Sequence, residues 1–384
     1  MELIDFLDPV GLEKPDEHLI WSPNILGKNI TIHTPDFSLD DLQGYDLAIL
    51  AVPEDRNSYN KGASLAPEKI RTQLYQLYKI DTTKKIIDLG NLKQGNTFND
   101  TYIALKEVIQ ILLGLNIVVL LIGGTQELTL PVYQAFEAAK SNINLITIDR
   151  TIDIIKDSVK SSSETYLTEI LLKKRRLFKY CNLGHQLYLT DKNNLDLINK
   201  LYHDAYRLGD IRADISVVEP IFRDADLVSF DISSIRQADA PAFFNPSPNG
   251  FYAEEACQLA RYSGMSDLIS FFGLFEVNPK FDNRQQTANL AAQMIWHFLD
   301  GFSARMTEIP SSENKSFKTF IVGNSDLDYE ITFYKSTKSD RWWMEVPNPK
   351  TKTPVIISCS YADYLTACEQ EVPNIWWKSF QKLS

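Results

Sequence analysis

The chain has 384 residues, 44% hydrophobic and 23% charged, ordinary proportions for a folded globular protein, and its length allows one large α/β domain with an appendage, or two domains. A net charge of −11 argues against a nucleic-acid partner, which favours a basic face. No segment reaches the ~18 uninterrupted apolar residues of a membrane span. The four cysteines (Cys181, Cys257, Cys359, Cys368) form no C-x-x-C pair and read as buried thiols of a reducing compartment. The acidic start MELIDFLDPVGLEK lacks a charged-then-apolar signal layout, so a cytoplasmic protein is expected.

Residues 1–44, mixed and polar around Trp21-Ser22-Pro23, read as an N-terminal arm laid over the domain. Tyr45 to Val52 is the first buried strand, followed by a polar loop through Ala63. A helix opens at Ala66-Pro67, where the missing proline N–H costs little, with Leu74, Leu77 and Tyr78 as its apolar stripe. Lys85 to Asn91 is a short strand, and Thr101 to Gly114 a helix with Leu105, Val108, Ile109 and Leu112 on one face. Ile117 to Ile122 is a continuous apolar run without alternation, which suits a strand buried on both faces of a parallel sheet. Gly123-Gly124 breaks it, and Leu130 to Lys140 is helical.

A second apolar strand, Ile143 to Ile148, ends in Asp149-Arg150-Thr151-Ile152-Asp153. Ligands bind at the C-terminal ends of strands in open α/β sheets. Asp149, Thr151 and Asp153 alternate along an extended segment and share one side. Carboxylates aimed together need a cation, hydrogen-bond donors or water. The polar patch Lys156 to Thr165 is either a mobile loop near this edge or a helix start capped by Ser163 within Ser161-Ser162-Ser163. Lys173-Lys174-Arg175-Arg176 reads as the last turn of a helix, where cations offset the dipole.

Leu177 to Asn182 and Gln186 to Leu189 read as short strands around Gly184-His185, and Asn193 to Leu208 as a helix. Asp226 to Phe230 is the next buried strand, ending at Asp231, and Asp239 to Phe251 is rich in turn residues. Ala253 to Ser263 is a helix, Leu268 to Glu276 the last strand, and Thr287 to Phe302 a terminal helix. His203 and His297 fall within these helices and read as structural residues. Beyond residue 305, Ser311 to Ser316 reads as a linker, and Phe317 to Val322, Tyr329 to Tyr334 and Val355 to Ser358 as strands. Four of the six tryptophans lie here, as Trp342-Trp343 and Trp376-Trp377, and such aromatics make a small core or a binding surface.

Several short runs occur in a fixed order: Asn60-Lys61-Gly62-Ala63, Pro67 with Ile70-Arg71, Gly123-Gly124-Thr125-Gln126, Asp149 to Asp153, Ser229-Phe230-Asp231-Ile232-Ser233, and Glu276-Val277-Asn278-Pro279 with Asp282. Over roughly residues 45–302 they resemble the ureohydrolases, the family of arginase, agmatinase and formimidoylglutamase. The Asn-x-Gly loop is nearest the formimidoylglutamase branch. The resemblance implies a doubly wound, mostly parallel α/β sheet of the arginase type over residues 45–304, between the arm 1–44 and a small β-rich extension 305–384. It also implies a homo-oligomer.

In that family Gly-Gly-Asp-His, Asp-x-His-x-Asp and Ser-Phe-Asp-x-Asp hold two manganese ions, which lower the pKa of a shared water for attack on a linear amidine carbon. Carried over, one metal would have Gln126, Asp149, Asp153 and Asp231, and a Gln carbonyl can still coordinate a hard cation. The other would share Asp149 and Asp231, but its private ligands are replaced by Thr151 and Ser233. The expectation is one divalent cation at most (Mn²⁺, Mg²⁺ or Ca²⁺), or none, with the aspartates bonded to strand-end amides or paired with Arg150 or Arg236. Glu276 matches a glutamate that contacts the substrate guanidinium, and His185 lies in a loop comparable to that of a proton-shuttling histidine. The leading expectation is a non-catalytic scaffold that senses a guanidino or amino-acid-like ligand through Glu276. The rival is a C–N hydrolase of a linear amidine such as N-formimidoylglutamate, arginine or agmatine. A third is a protein-binding role for residues 305–384.

Overall fold

Ten strands form one sheet in the computed structural model, which describes residues 3–11, 22–35, 42–155, 162–173, 176–311, 313–324 and 329–384. Trp21, Lys156, Ser161, Lys174, Arg175 and Ser312, singled out above, lie outside the described residues. The strands are β1 (Leu7–Asp8), β2 (Thr31–Ile32), β3 (Leu47–Val52), β4 (Ile86–Leu92), β5 (Val118–Gly123), β6 (Ile143–Ile148), β7 (Leu177–His185), β8 (Asp204–Arg207), β9 (Leu227–Asp231) and β10 (Phe271–Phe275). Their order is β1-β4-β3-β5-β10-β9-β6-β7-β8, with β2 also on β4. Only the β1–β4 pair is antiparallel among these.

The unbroken apolar runs of β3 and β5 follow from helices on both faces of the sheet. Every residue of these two strands is buried. Ile49 and Ala51 pack into one core with Phe272, Ala291 and Phe298. Ala48, Leu50 and Val52 pack into the other with Leu105, Phe136 and Tyr166. Alternate side chains therefore serve opposite layers, the period-2 rule applied to a doubly covered strand. This is a doubly wound, mostly parallel α/β architecture.

Three expectations are corrected. Leu177 to His185 is one strand, and Gln186 to Leu189 is not a strand but leads into a 3₁₀ turn at Leu187–Leu189. The helix expected over Asn193 to Leu208 spans Lys192–Lys200 and stops because Tyr202 takes a left-handed φ of 55°. The chain then re-enters the sheet as its edge strand β8, a short polar-containing segment whose pairing on β7 overrides the helical spacing. The helix at Pro67 ends at Leu74, so Leu77 and Tyr78 are not on its stripe, and Tyr78 is exposed.

The C-terminal residues form a second, antiparallel sheet of β11 (Phe317–Asn324), β12 (Tyr329–Ser336), β13 (Trp342–Val346) and β14 (Val355–Cys359). Two helices, Tyr361–Cys368 and Asn374–Leu383, accompany it. The Trp342-Trp343 pair opens a strand that the spacing does not predict. Trp342, Trp343 and Trp376 are buried, and Trp377 is exposed. The core here joins Trp342 and Trp376 to Phe333, Met344, Ile357 and Leu383, with Phe178 of β7 packed against it. Arg223 ties the two sheets together by donating to Trp342 O and Cys359 O, each at 3.0 Å. Asp224 accepts from Ser358 N at 3.1 Å, and Lys378 bonds Asp204 Oδ1 at 2.7 Å. Among the described residues no helix is long and apolar enough to cross a membrane.

Candidate functional site

β5, β10, β9 and β6 are neighbours in the sheet, so the residues just past their C-terminal ends converge. They are Gln126, Glu276, Asp231 and Asp149. Gly123-Gly124 lets the chain turn sharply at this edge: a Cβ on Gly124 would stand 1.9 Å from Glu54 O, inside the neighbouring loop backbone.

Glu276 follows β10 at a φ of 70° and is buried. Its Oε1 accepts from the Gln126 backbone N–H at 2.8 Å, and its Oε2 from Asn60 Nδ2 at 2.8 Å. Asn60 is held in turn by Asn278 Nδ2, 2.8 Å from Asn60 Oδ1. Both carboxylate oxygens are thus engaged within the protein, and Glu276 clamps the Asn60 loop to the sheet edge. Burial, then the charge of Asp231, pushes its carboxyl well above the usual range.

Asp149, Asp153 and Asp231 are 1%, 9% and 7% exposed, too little for water to carry their charge. The Thr151 hydroxyl lies 3.1 Å from Asp149 Oδ1 and 2.9 Å from Asp153 Oδ1, and its backbone N–H donates to Asp149 Oδ1 at 2.9 Å. Asp231 Oδ1 accepts the Ser233 N–H at 2.6 Å. Burial, then Asp231, raises Asp153 to about 7. Burial, then Asp149, raises Asp231 to about 8. Asp149 is pushed up by burial and by Asp153. The two expected cationic partners are elsewhere: the Arg150 guanidinium lies 5.2 Å over the Phe243 ring, and Arg236 pairs with Asp239 at 2.8 Å. The strand-end amides of Thr151 and Ser233 supply part of the compensation instead.

Gln126 faces the same carboxylates. One end of its side-chain amide lies 2.9 Å from Asp149 Oδ2 and 3.3 Å from Asp231 Oδ2, and the other lies 3.2 Å from the Tyr166 hydroxyl; with the nitrogen on the carboxylate side it donates to both aspartates, and with the nitrogen on the other side it lies 3.3 Å from Ser229 Oγ. The reverse orientation would turn an amide oxygen onto two carboxylates. In the donating orientation the oxygen expected to ligate a cation turns to Tyr166; in the other it faces Asp149 and Asp231. Thr151 offers a hydroxyl already shared between two carboxylates, and Ser233 a backbone N–H. Among the described residues no group of three or more His, Cys, Asp or Glu is arranged to hold a metal ion. The donor set, with Thr151 and Ser233 in place of imidazole and carboxylate, does not fit a pair of bridged metals.

His185 ends β7 and is buried, and its Nδ1 is without a partner among the described residues. Burial lowers its pKa, and the groups acting on it are the Tyr206 backbone, Arg207 and Asp210. It belongs to the β7–β8 edge of the sheet. The segment before the helix Tyr166–Lys173 does not use Ser163 as its cap; Ser163 Oγ lies 3.1 Å from Ser58 Oγ, joining this segment to the Asn60 loop. Spacing misses Tyr166, Asn60, Asn182 and Glu127. Asn182 Nδ2 donates to Thr151 O at 3.0 Å, and Glu127 is fully buried with its carboxyl raised to about 7 by burial. The one sequence signal for Asn182 is a polar residue interrupting an apolar strand.

Residues 45–300 match the family described as the Arginase family. A formimidoylglutamase of Staphylococcus haemolyticus is 27% identical over 277 residues, 68% of this chain and 88% of the relative. A formimidoylglutamase of Photorhabdus laumondii is 23% identical over 281 residues, 68% of this chain and 87% of the relative. Among solved structures, formimidoylglutamase from Bacillus subtilis superposes with a TM-score of 0.67 at 21% identity, over 78% of this chain and 97% of that one. Trypanosoma cruzi formiminoglutamase with Mn²⁺ gives 0.64 at 20% identity, over 70% and 97%.

Proposed function

The chain belongs to the arginase family, and we propose that it is a member whose strand-end site works as a hydrogen-bonded scaffold rather than as a hydrolytic metal centre. The observation that carries this reading is the Thr151 hydroxyl, held 3.1 Å from Asp149 Oδ1 and 2.9 Å from Asp153 Oδ1, with the neutral Gln126 amide set beside Asp149 and Asp231. A neutral donor placed there compensates carboxylates that two cations would otherwise bridge. Thr151 and Ser233 add neutral groups where metal coordination would need imidazole or carboxylate.

A guanidino or amino-acid-like ligand remains the ligand class proposed for Glu276. Such a ligand must displace the Asn60 amide or the Gln126 N–H, because these occupy both carboxylate oxygens. Entry therefore opens the Asn60 loop. Metal content by elemental analysis, Mn²⁺ calorimetry, and hydrolysis of N-formimidoylglutamate, arginine and agmatine test the reading, with Asp231→Ala beside the wild type. The expected result is no stoichiometric Mn²⁺ and no turnover. Two metals per chain, with turnover that Asp231→Ala abolishes, would sink it.

The second reading is a C–N hydrolase of a linear amidine. It is favoured by the run of curated relatives named formimidoylglutamase. Its requirement is a rotation of the Gln126 side chain away from Asp149 and Asp231, which Mn²⁺ titration would detect as saturable binding.

A further inference from the structure

The family match ends at residue 300, and the extension beyond it builds one wall of a cavity of about 680 Å³ at its junction with the main domain. The opposite wall comes from the helix Glu219–Arg223 and the end of the helix Ala253–Met265. Cavities of a few hundred Å³ at such junctions are common small-molecule sites. This one is distinct from the aspartate cluster, and no residue of that cluster lines it.

Its charges are unevenly satisfied. Glu219 accepts from Arg223 Nε at 3.0 Å on one oxygen and forms an ion pair with Arg341 Nε, 3.0 Å from the other. The remaining Arg223 nitrogens are consumed by the carbonyls of Trp342 and Cys359, and the guanidinium lies 4.6 Å from the Trp343 ring. Lys335 pairs with Asp340, whose side chain is 83% exposed and so holds it weakly. Arg341 is different. Its side chain is 12% exposed and lines the cavity, yet its two terminal nitrogens make no hydrogen bond among the described residues. The lining side chains Arg223, Arg341 and Lys335 outnumber Glu219 and Asp340 by one positive charge, with Asp224 and Asp267 acting on Arg223 and Arg341 from outside the lining.

A flat surface adjoins this charge. Tyr361 lines the cavity at 54% exposure, with its ring 5.4 Å from Trp342 and 5.9 Å from the stacked Tyr364. Trp342 stacks on Tyr364 at 4.8 Å, so the three rings form one mutual cluster in which Tyr361 is the exposed member. An Arg fork with unused terminal nitrogens matches a carboxylate, and an exposed ring held in an aromatic cluster matches a planar ligand.

We propose that this junction cavity binds a small aromatic carboxylate, its acid group on the outer nitrogens of Arg341 and its ring on Tyr361. Met265 and Tyr262 close the apolar side.

The test uses the full chain and two pairs of probes, benzoate with benzamide and indole-3-acetate with indole-3-acetamide. Binding is read by saturation-transfer NMR and by titration. The acids bind saturably, and each amide binds at least about tenfold more weakly, the effect of a charge-assisted hydrogen bond. Arg341→Gln removes that preference, whereas Tyr361→Ala weakens acid and amide alike. Melting curves establish that each variant is folded; should Arg341→Gln unfold, Arg341→Lys, which keeps the charge and loses the fork, replaces it and must reduce the preference. Equal binding of acids and amides, no saturable binding of either acid, or a preference that survives in the Arg341 variant overturns the proposal.

Discussion

The side-chain amide of Gln126 ends 2.9 Å from Asp149 Oδ2, and with its nitrogen on that side it is a donor to a buried carboxylate that has no paired cation among the described residues. The same nitrogen reaches Asp231, so one amide links two strand ends. Gln126→Leu deletes this link and leaves two buried carboxylates facing each other. The expected loss is about 1–3 kcal/mol of stability, read as a shift of the urea unfolding midpoint with an unchanged slope. An unshifted midpoint would mean that the amide compensates nothing.

Arg71 illustrates the opposite arrangement, a buried cation with full compensation. It donates to both oxygens of Asp88, at 2.9 and 2.8 Å, and to Gly90 O at 2.8 Å, while Tyr75 donates to Asp88 at 2.6 Å. Arg71→Met strands the Asp88 charge inside the protein. Breaking such a pair costs about 3–5 kcal/mol, and equilibrium denaturation should register it.

The Gly124 turn admits no side chain. A Cβ would meet Glu54 O at 1.9 Å, and the obstacle is backbone that cannot rotate away. Gly124→Ala should lower stability by about 1–3 kcal/mol and loosen the Glu276 clamp, whose Gln126 N–H donor is two residues further on. Calorimetric melting of the variant checks the first expectation, and hydrogen exchange at Gln126 the second.

The C-terminal helix carries a pH dependence. Lys382 Nζ donates to Phe178 O at 2.7 Å and lies 2.9 Å from His203 Nδ1. Burial, then Lys179, lowers its pKa from 10.5 to about 7, with Asp204 opposing the shift, Lys378 adding to it, and Cys181 also facing it. Below about pH 7 the ammonium is charged in folded and unfolded chains alike, and the folded state carries the full desolvation cost. Between about 7 and 10.5 the unfolded chain binds more protons, so this group makes stability rise with pH. Lys382→Met removes that slope. Melting temperatures from pH 6 to 9.5 should show the wild type gaining on the variant; a constant gap would refute the assignment.

The strands Ile143 to Ile148 and Ile117 to Ile122 were legible because continuous apolar runs report burial on two faces. The end of the helix at Lys200 was not legible, since Leu201 and Tyr202 prolong its apolar spacing while the left-handed turn at Tyr202 leaves no local trace. The Trp342 strand was obscured for a related reason: a Trp pair has the composition of a surface hot spot and of a strand alike, and its pairing with β12 and β14 distinguishes them.

Residue types set the chemistry on offer at the site. Gln126, Thr151 and Ser233, replacing two imidazoles and a carboxylate of the family motifs, were plain from the sequence, and so was the convergence of strand ends near Asp149 and Asp231. Which atoms meet was a tertiary matter. The Tyr166 hydroxyl meets the Gln126 amide on the side away from the aspartates, and Asn60, 216 residues from Glu276, occupies one of its carboxylate oxygens. Sequence pattern records periodicity and burial, which are local averages. The direction of a hydrogen bond depends on the single donor that the fold brings to each acceptor, and that pairing exists only once the distant segments have packed.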